Sequence, residues 1–111
     1  MLEYSFRTLN LPSGRKRILI DFQEEQYHLL STFLEMEVMS FYEPILEMLE
    51  KVLQGKSSEE LFNGNLCTAL FTPETTTISG LYSQNQNQEL CRMVTKDLKC
   101  MLEIYVKNAR K

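Results

Sequence analysis

The sequence predicts an α+β fold in which an antiparallel sheet carries its helices on one face. Three observations carry that prediction. Strand-like alternation opens the chain and returns in its second half. A long apolar stripe at three- and four-residue steps lies between the two. A second amphipathic helix closes the sequence. Strands and helices are grouped rather than strictly alternating, giving the order β-β-α-α-β-β-β-α, which argues against a parallel βαβ layout.

Residues 2–10 alternate, with Leu2, Tyr4, Phe6 and Thr8 on one side and Glu3, Ser5 and Arg7 on the other. Leu11-Pro12-Ser13-Gly14 reads as a turn, Pro fixing one dihedral and Gly accepting a positive one. Arg17 to Phe22 is β-rich, so the first two strands form a hairpin with Arg15, Lys16 and Arg17 near its bend.

The period then changes. Tyr27, Leu30, Leu34, Val38, Phe41, Ile45, Met48 and Val52 make one apolar helical stripe. Pro44 interrupts it, because an internal Pro lacks a donor and collides with the preceding turn. Either the helix kinks near Ser40 or it stops and restarts. Ser40 and Glu43 have capping-box spacing, and Pro44 fits a first turn. Two abutting helices, about 24–39 and 43–54, are the favoured reading, with Gly55 as a left-handed cap.

Lys56 to Glu60 reads as a polar connection and Asn63-Gly64 as a turn. Leu66 to Thr72 alternates as a strand, Pro73-Glu74 turns the chain, and Thr75 to Tyr82 is a second β-rich run. Ser83 to Gln88 holds no apolar residue and reads as a mobile loop. Glu89 to Val94 makes a last short strand. Thr95 is placed to cap a final helix whose apolar side is Leu98, Met101, Leu102, Tyr105 and Val106. Nothing marks an internal repeat or a boundary, so residues 1–111 are expected to form a single domain.

Composition sets the function classes. The chain is 43% hydrophobic and 24% charged, ordinary for a folded protein in water. It has no apolar run of the roughly 18 residues that a bilayer span needs, and its first residues lack the order of a signal peptide. A cytoplasmic protein without membrane attachment is expected. Cys67, Cys91 and Cys100 are odd in number and widely spaced, unlike a disulfide framework. With His28 they could formally ligate zinc, but no Cys-x-x-Cys pair exists, so reduced, mostly buried thiols and no metal are expected.

No catalytic motif is present. His28 is the single histidine and reads as a helix-surface residue. There is no Gly-x-Ser-x-Gly elbow, and the four glycines are too dispersed to cradle a phosphate. The reading is therefore a non-enzyme without cofactor. Arg15-Lys16-Arg17 could touch a nucleic-acid backbone, but three charges on a chain of net charge −3 supply little affinity at physiological salt.

The chemistry that stands out is charge segregation. From Ile18 to Glu50 the chain carries eight carboxylates and no Lys or Arg. Glu43, Glu47 and Glu50 share one helix face at steps of four and three. If the helix is continuous through Pro44, Met36 and Met39 fall beside the same acids, as flexible apolar groups suited to a binding surface. Like charges at that spacing weaken a helix, so leaving them unrelieved fits a basic partner. The candidate partner-binding set is Glu35, Met36, Glu37, Met39, Tyr42, Glu43, Glu47 and Glu50. The alternative is a regulatory or structural module, a homodimer using apolar helix surface.

The strand pair from Leu66 to Tyr82, the polar loop, and Cys91-Arg-Met-Val-Thr-Lys-Asp-Leu98 running from strand into helix, taken with the N-terminal hairpin and acidic central helices, resemble the small bacterial immunity proteins of contact-dependent and related polymorphic toxin systems. The resemblance is one of size, layout and charge. It implies a compact cytosolic α+β protein that neutralises a cationic, nuclease-type toxin domain by blocking its active site.

Overall fold

The structure, a computed structural model, describes residues 2–80 and 90–110. The tract from Ser83 to Gln88 and the end of the run to Tyr82 lie outside the described residues. Strands β1 (Tyr4–Asn10) and β2 (Lys16–Phe22) pair antiparallel in unbroken register from Tyr4 opposite Phe22 to Asn10 opposite Lys16. The intervening turn is closed by Leu11 N–H to Arg15 O at 2.8 Å, and Gly14 takes φ 86°, the left-handed value anticipated there.

A helical layer follows. A 3-10 turn at Glu25–Tyr27 leads into α1 (His28–Thr32), a π-helical segment at Phe33–Val38, and α2 (Met39–Leu53). The helix does break, as Pro44 requires, but at Phe41 (φ −130°, ψ 39°). Turning out there removes the collision between the Pro44 ring and the carbonyl one turn earlier. No side-chain bond caps the helix at this break among the described residues, so the Ser40–Glu43 box does not form. Gly55, at φ 75°, ends α2 with its N–H on Val52 O, while Lys56 N–H reaches Lys51 O.

The second sheet has the strand order β3 (Glu60–Asn63), β4 (Cys67–Phe71), β5 (Thr75–Gly80), β6 (Leu90–Val94), all antiparallel. The α+β class and the element order hold, and β3 is an added strand. Its four residues, too short to show a period, form because Glu60 to Asn63 lie opposite Phe71 to Thr68 across the Gly64 turn. The chain ends in α3 (Thr95–Ala109).

Helices occupy the space between the two sheets. Ile20 and Phe22 from the hairpin, Leu30, Phe33, Leu34 and Ile45 from the helices, Phe71 and Ile78 from the second sheet, and Leu98 and Leu102 from α3 form one core. Phe33 meets Phe62 and Phe71 edge-on at 6.1 and 6.5 Å. Each such fully buried side chain contributes about 1.5–3 kcal/mol.

Thr95 does not cap the last helix. It is the first residue of α3 and makes no capping bond. Its hydroxyl is fully buried, donates to Thr72 O at 2.6 Å and lies 2.8 Å from Thr76 Oγ1, and its N–H reaches Glu74 O. The threonine ties the helix start to the β4–β5 turn.

Candidate functional site: the acidic helix and its surroundings

The residues expected to form one surface separate into three groups. Glu37 leaves the set altogether. It is fully buried, and its carboxylate accepts the N–H of Asn65 at 3.0 Å, of Leu66 at 3.1 Å and of Cys67 at 2.9 Å. A carboxylate with three charge-assisted bonds to a turn is a structural clamp. A Cβ at position 64 would overlap this carboxylate and sit 2.8 Å from Cys67 O, so the chain needs glycine there for close approach. The Asn63-Gly64 signal marks a turn, and the partner of that turn lies in the helix.

Glu35 points the other way. Its carboxylate accepts the N–H of Ile20 at 2.8 Å, on the free edge of β2. Burial pushes this carboxyl above its ordinary value, against the opposing pull of the Ile20 N–H and of Arg17. Tyr105 occupies the same edge, its hydroxyl donating to Ile18 O at 2.7 Å. Burial, and secondarily the Glu35 charge, raises the Tyr105 hydroxyl to about 12. Met36 and Met39 stay half exposed in a groove of about 260 Å³ shared with Lys16, Arg17, Glu35, Tyr105 and Ala109. Their neighbours there are cations of the hairpin rather than Glu43, Glu47 and Glu50. Arg17 donates to Glu35 O at 3.2 Å and reaches the Met36 sulfur, so the basic cluster at the hairpin bend is partly folded back onto the helix.

Glu43 and Glu47 are exposed and Glu50 is half buried on α2. Among the described residues Glu43 and Glu50 have no ion pair, whereas Lys51 reaches Glu47 at 3.4 Å. Tyr42 is half buried beneath the Arg110 guanidinium, 4.9 Å from its ring centre. Asp21 is held by a forked pair with Arg7, whose second bond is 3.1 Å, and this partner lowers its carboxyl below the ordinary range. A base distant in sequence therefore relieves Asp21, while Glu43, Glu47 and Glu50 form the open acidic face of α2 and Glu24 and Glu25 are exposed ahead of α1.

His28 is exposed at the start of α1. Cys67 and Cys91 are buried, and burial raises the Cys91 thiol. Cys100 is exposed on α3, so two of the three thiols are buried. The outer face of the second sheet presents Leu61, Leu70, Leu90 and Val94 to solvent. The sequence signal for that face was alternation itself, since the buried mates are Phe62, Ala69, Cys91 and Met93.

Over 102 residues, 92% of its length, the chain is 30% identical to an immunity protein of Bacillus cereus, of which the match covers 83%. The chain belongs to the family of that immunity protein. No family model matches the sequence, and no solved structure matches it. Among the described residues no helix is long and apolar enough to cross a membrane.

Proposed function

We propose that this family member is a bacterial immunity protein that binds and neutralises a cationic, nuclease-type toxin domain in the cytoplasm, acting as a non-enzymatic inhibitor. The observation that carries the reading is its relationship, along nearly the whole chain, to a protein named for immunity. The mechanism is electrostatic capture by Glu43, Glu47 and Glu50 on α2, two of which have no ion pair among the described residues. Such a face steers a basic partner and suppresses association with acidic ones. Glu35, half buried on the β2 edge, is a lesser contributor; Met36 and Met39 supply apolar contact from the separate groove beside the hairpin, and Tyr42 from beneath Arg110.

The test uses a C-terminal nuclease-like domain from the open reading frame adjacent to this protein's gene. Replacing Glu43, Glu47 and Glu50 together with Gln is expected to weaken the complex at least about tenfold and to flatten its salt dependence. Unchanged affinity would remove the acidic-face mechanism. Absence of any complex with that domain, or of protection from it, would remove the immunity reading itself.

A further inference from the structure

The hairpin has one closed edge and one open edge, and the hydrogen-bond pattern shows which is which. Odd-numbered residues of β1 bond to β2, as Gln23 N–H to Glu3 O and Leu11 N–H to Arg15 O show at the two ends of the ladder. The backbone groups of Ile18 and Ile20 therefore point away from β1, where Tyr105 and Glu35 occupy them. By the same alternation the N–H and C=O groups of Tyr4, Phe6 and Thr8 point away from β2. None of them has a hydrogen-bond partner among the described residues. The strand has no Pro, no bulge and no Lys, and its single Arg is folded onto Asp21. Among the described residues it thus lacks the usual devices that protect an edge.

We infer that β1 is a self-association edge, where a second copy of this chain adds its own β1 antiparallel to give a continuous sheet in the order β2-β1-β1-β2. The charge pattern selects this occupant. Pairing about Phe6 sets Tyr4 opposite Thr8, Ser5 opposite Arg7 and Glu3 opposite Leu9 of the second copy. Glu3 then lies diagonal to Arg7 of the second copy, a favourable opposite-charge neighbour, and no two like charges face each other. Tyr4, Phe6 and Thr8 fall at hydrogen-bonded positions in this register. The inference does not rest on the toxin reading, because β1 packs chiefly against β2 and the acidic face of α2 stays open.

Sedimentation of the whole chain between about 1 and 500 µM tests it. The expected result is a reversible monomer–dimer equilibrium. Thr8→Pro removes an outward N–H while leaving the β1–β2 ladder its bonds at Arg7 and Leu9, so the monomer should keep its circular dichroism and melting profile. It is expected to weaken dimerisation at least about tenfold. Glu3→Lys, which sets two cations side by side, should weaken it as well and recover in high salt. A monomer at every concentration would overturn the inference, and so would a dimer that survives both substitutions.

Discussion

Glu35 and Glu37, two residues apart, leave the central helix on opposite sides and end on backbone N–H groups of different sheets: Glu35 on Ile20 of the hairpin, Glu37 on Asn65, Leu66 and Cys67 of the β3–β4 turn. A helix advancing about 100° per residue sends such positions nearly opposite one another, so one short segment can bolt two sheets to a common layer. Both carboxylates lie in the π-helical stretch Phe33–Val38. The acidic run is therefore partly scaffold and partly surface.

Glu37 and Gly64 should behave as one unit. Glu37→Gln sets an amide donor among three N–H groups, and a loss of about 2–3 kcal/mol in urea denaturation is expected. Gly64→Ala drives a methyl into the carboxylate and the Cys67 carbonyl, with a similar loss of about 1–3 kcal/mol. In the Glu37→Ala background the Gly64→Ala change should cost measurably less, because the carboxylate it strikes has gone. Full additivity in that double-mutant cycle would show that the two positions do not meet.

Glu35 gives a pH signature with a defined sign. Its folded-state value is raised above the ordinary 4.5, chiefly by burial, so the folded chain holds this proton more tightly than the unfolded chain does. Its contribution is most favourable below the unfolded value and falls as pH rises through the window up to the raised value. Asp21 has the opposite sign, its contribution being present above the ordinary carboxylate value and lost as pH falls through its lowered one. Glu35→Gln retains an acceptor for Ile20 N–H without the charge. The stability difference between Glu35→Gln and the parent, measured by denaturation at each pH, should shift in favour of the variant as pH rises through that window and level off above it. A difference flat with pH would show that the carboxyl is not perturbed.

Tyr105 carries an alkaline counterpart. Raised from 10.0 to about 12, its hydroxyl keeps its proton in the folded chain when the unfolded chain has lost it. Stability is expected to fall between those two values as pH rises, and Tyr105→Phe should abolish that component. At neutral pH the same substitution leaves Ile18 O without its donor and should cost about 1–3 kcal/mol. Parent and variant melting in parallel across the alkaline range would count against the assignment.

Much of this fold was legible in the sequence because periodicity reports burial. Leu98, Met101, Leu102, Tyr105 and Val106 were expected on one side of the last helix, and all are buried. The hairpin turn and the Gly55 cap followed from backbone geometry that few residues other than glycine adopt. What stayed hidden was long-range. Nothing local distinguishes Glu37, whose partners are 28 to 30 residues away, from the exposed Glu43. Arg7, Arg17 and Arg110 reach the acidic segment or its neighbours only through the tertiary fold, so a count of charges along the chain overstated the acidic surface. Thr95 had the residue type of a cap, but the buried Thr72–Thr76 corner claimed its hydroxyl.

Lys51 offers the sharpest test of the surface that remains. It is the one cation paired with the Glu43, Glu47 and Glu50 group among the described residues, it sits 3.4 Å from Glu47, and both side chains are substantially exposed. An exposed pair one helical turn apart contributes only about 0.3–0.5 kcal/mol, so Lys51→Gln should scarcely change stability. If the face captures a basic toxin domain, the same substitution releases Glu47 and removes an opposing charge. Association at low salt should then quicken by about two- to fivefold, and the gain should fade as salt screens the field. Glu47→Gln should do less harm than Glu43→Gln, since Glu47 is already half neutralised by its neighbour. Stopped-flow association across a salt series reads both effects. Slower capture by Lys51→Gln would mean that the lysine itself meets the partner, and that the acidic face has been assigned to the wrong chemistry.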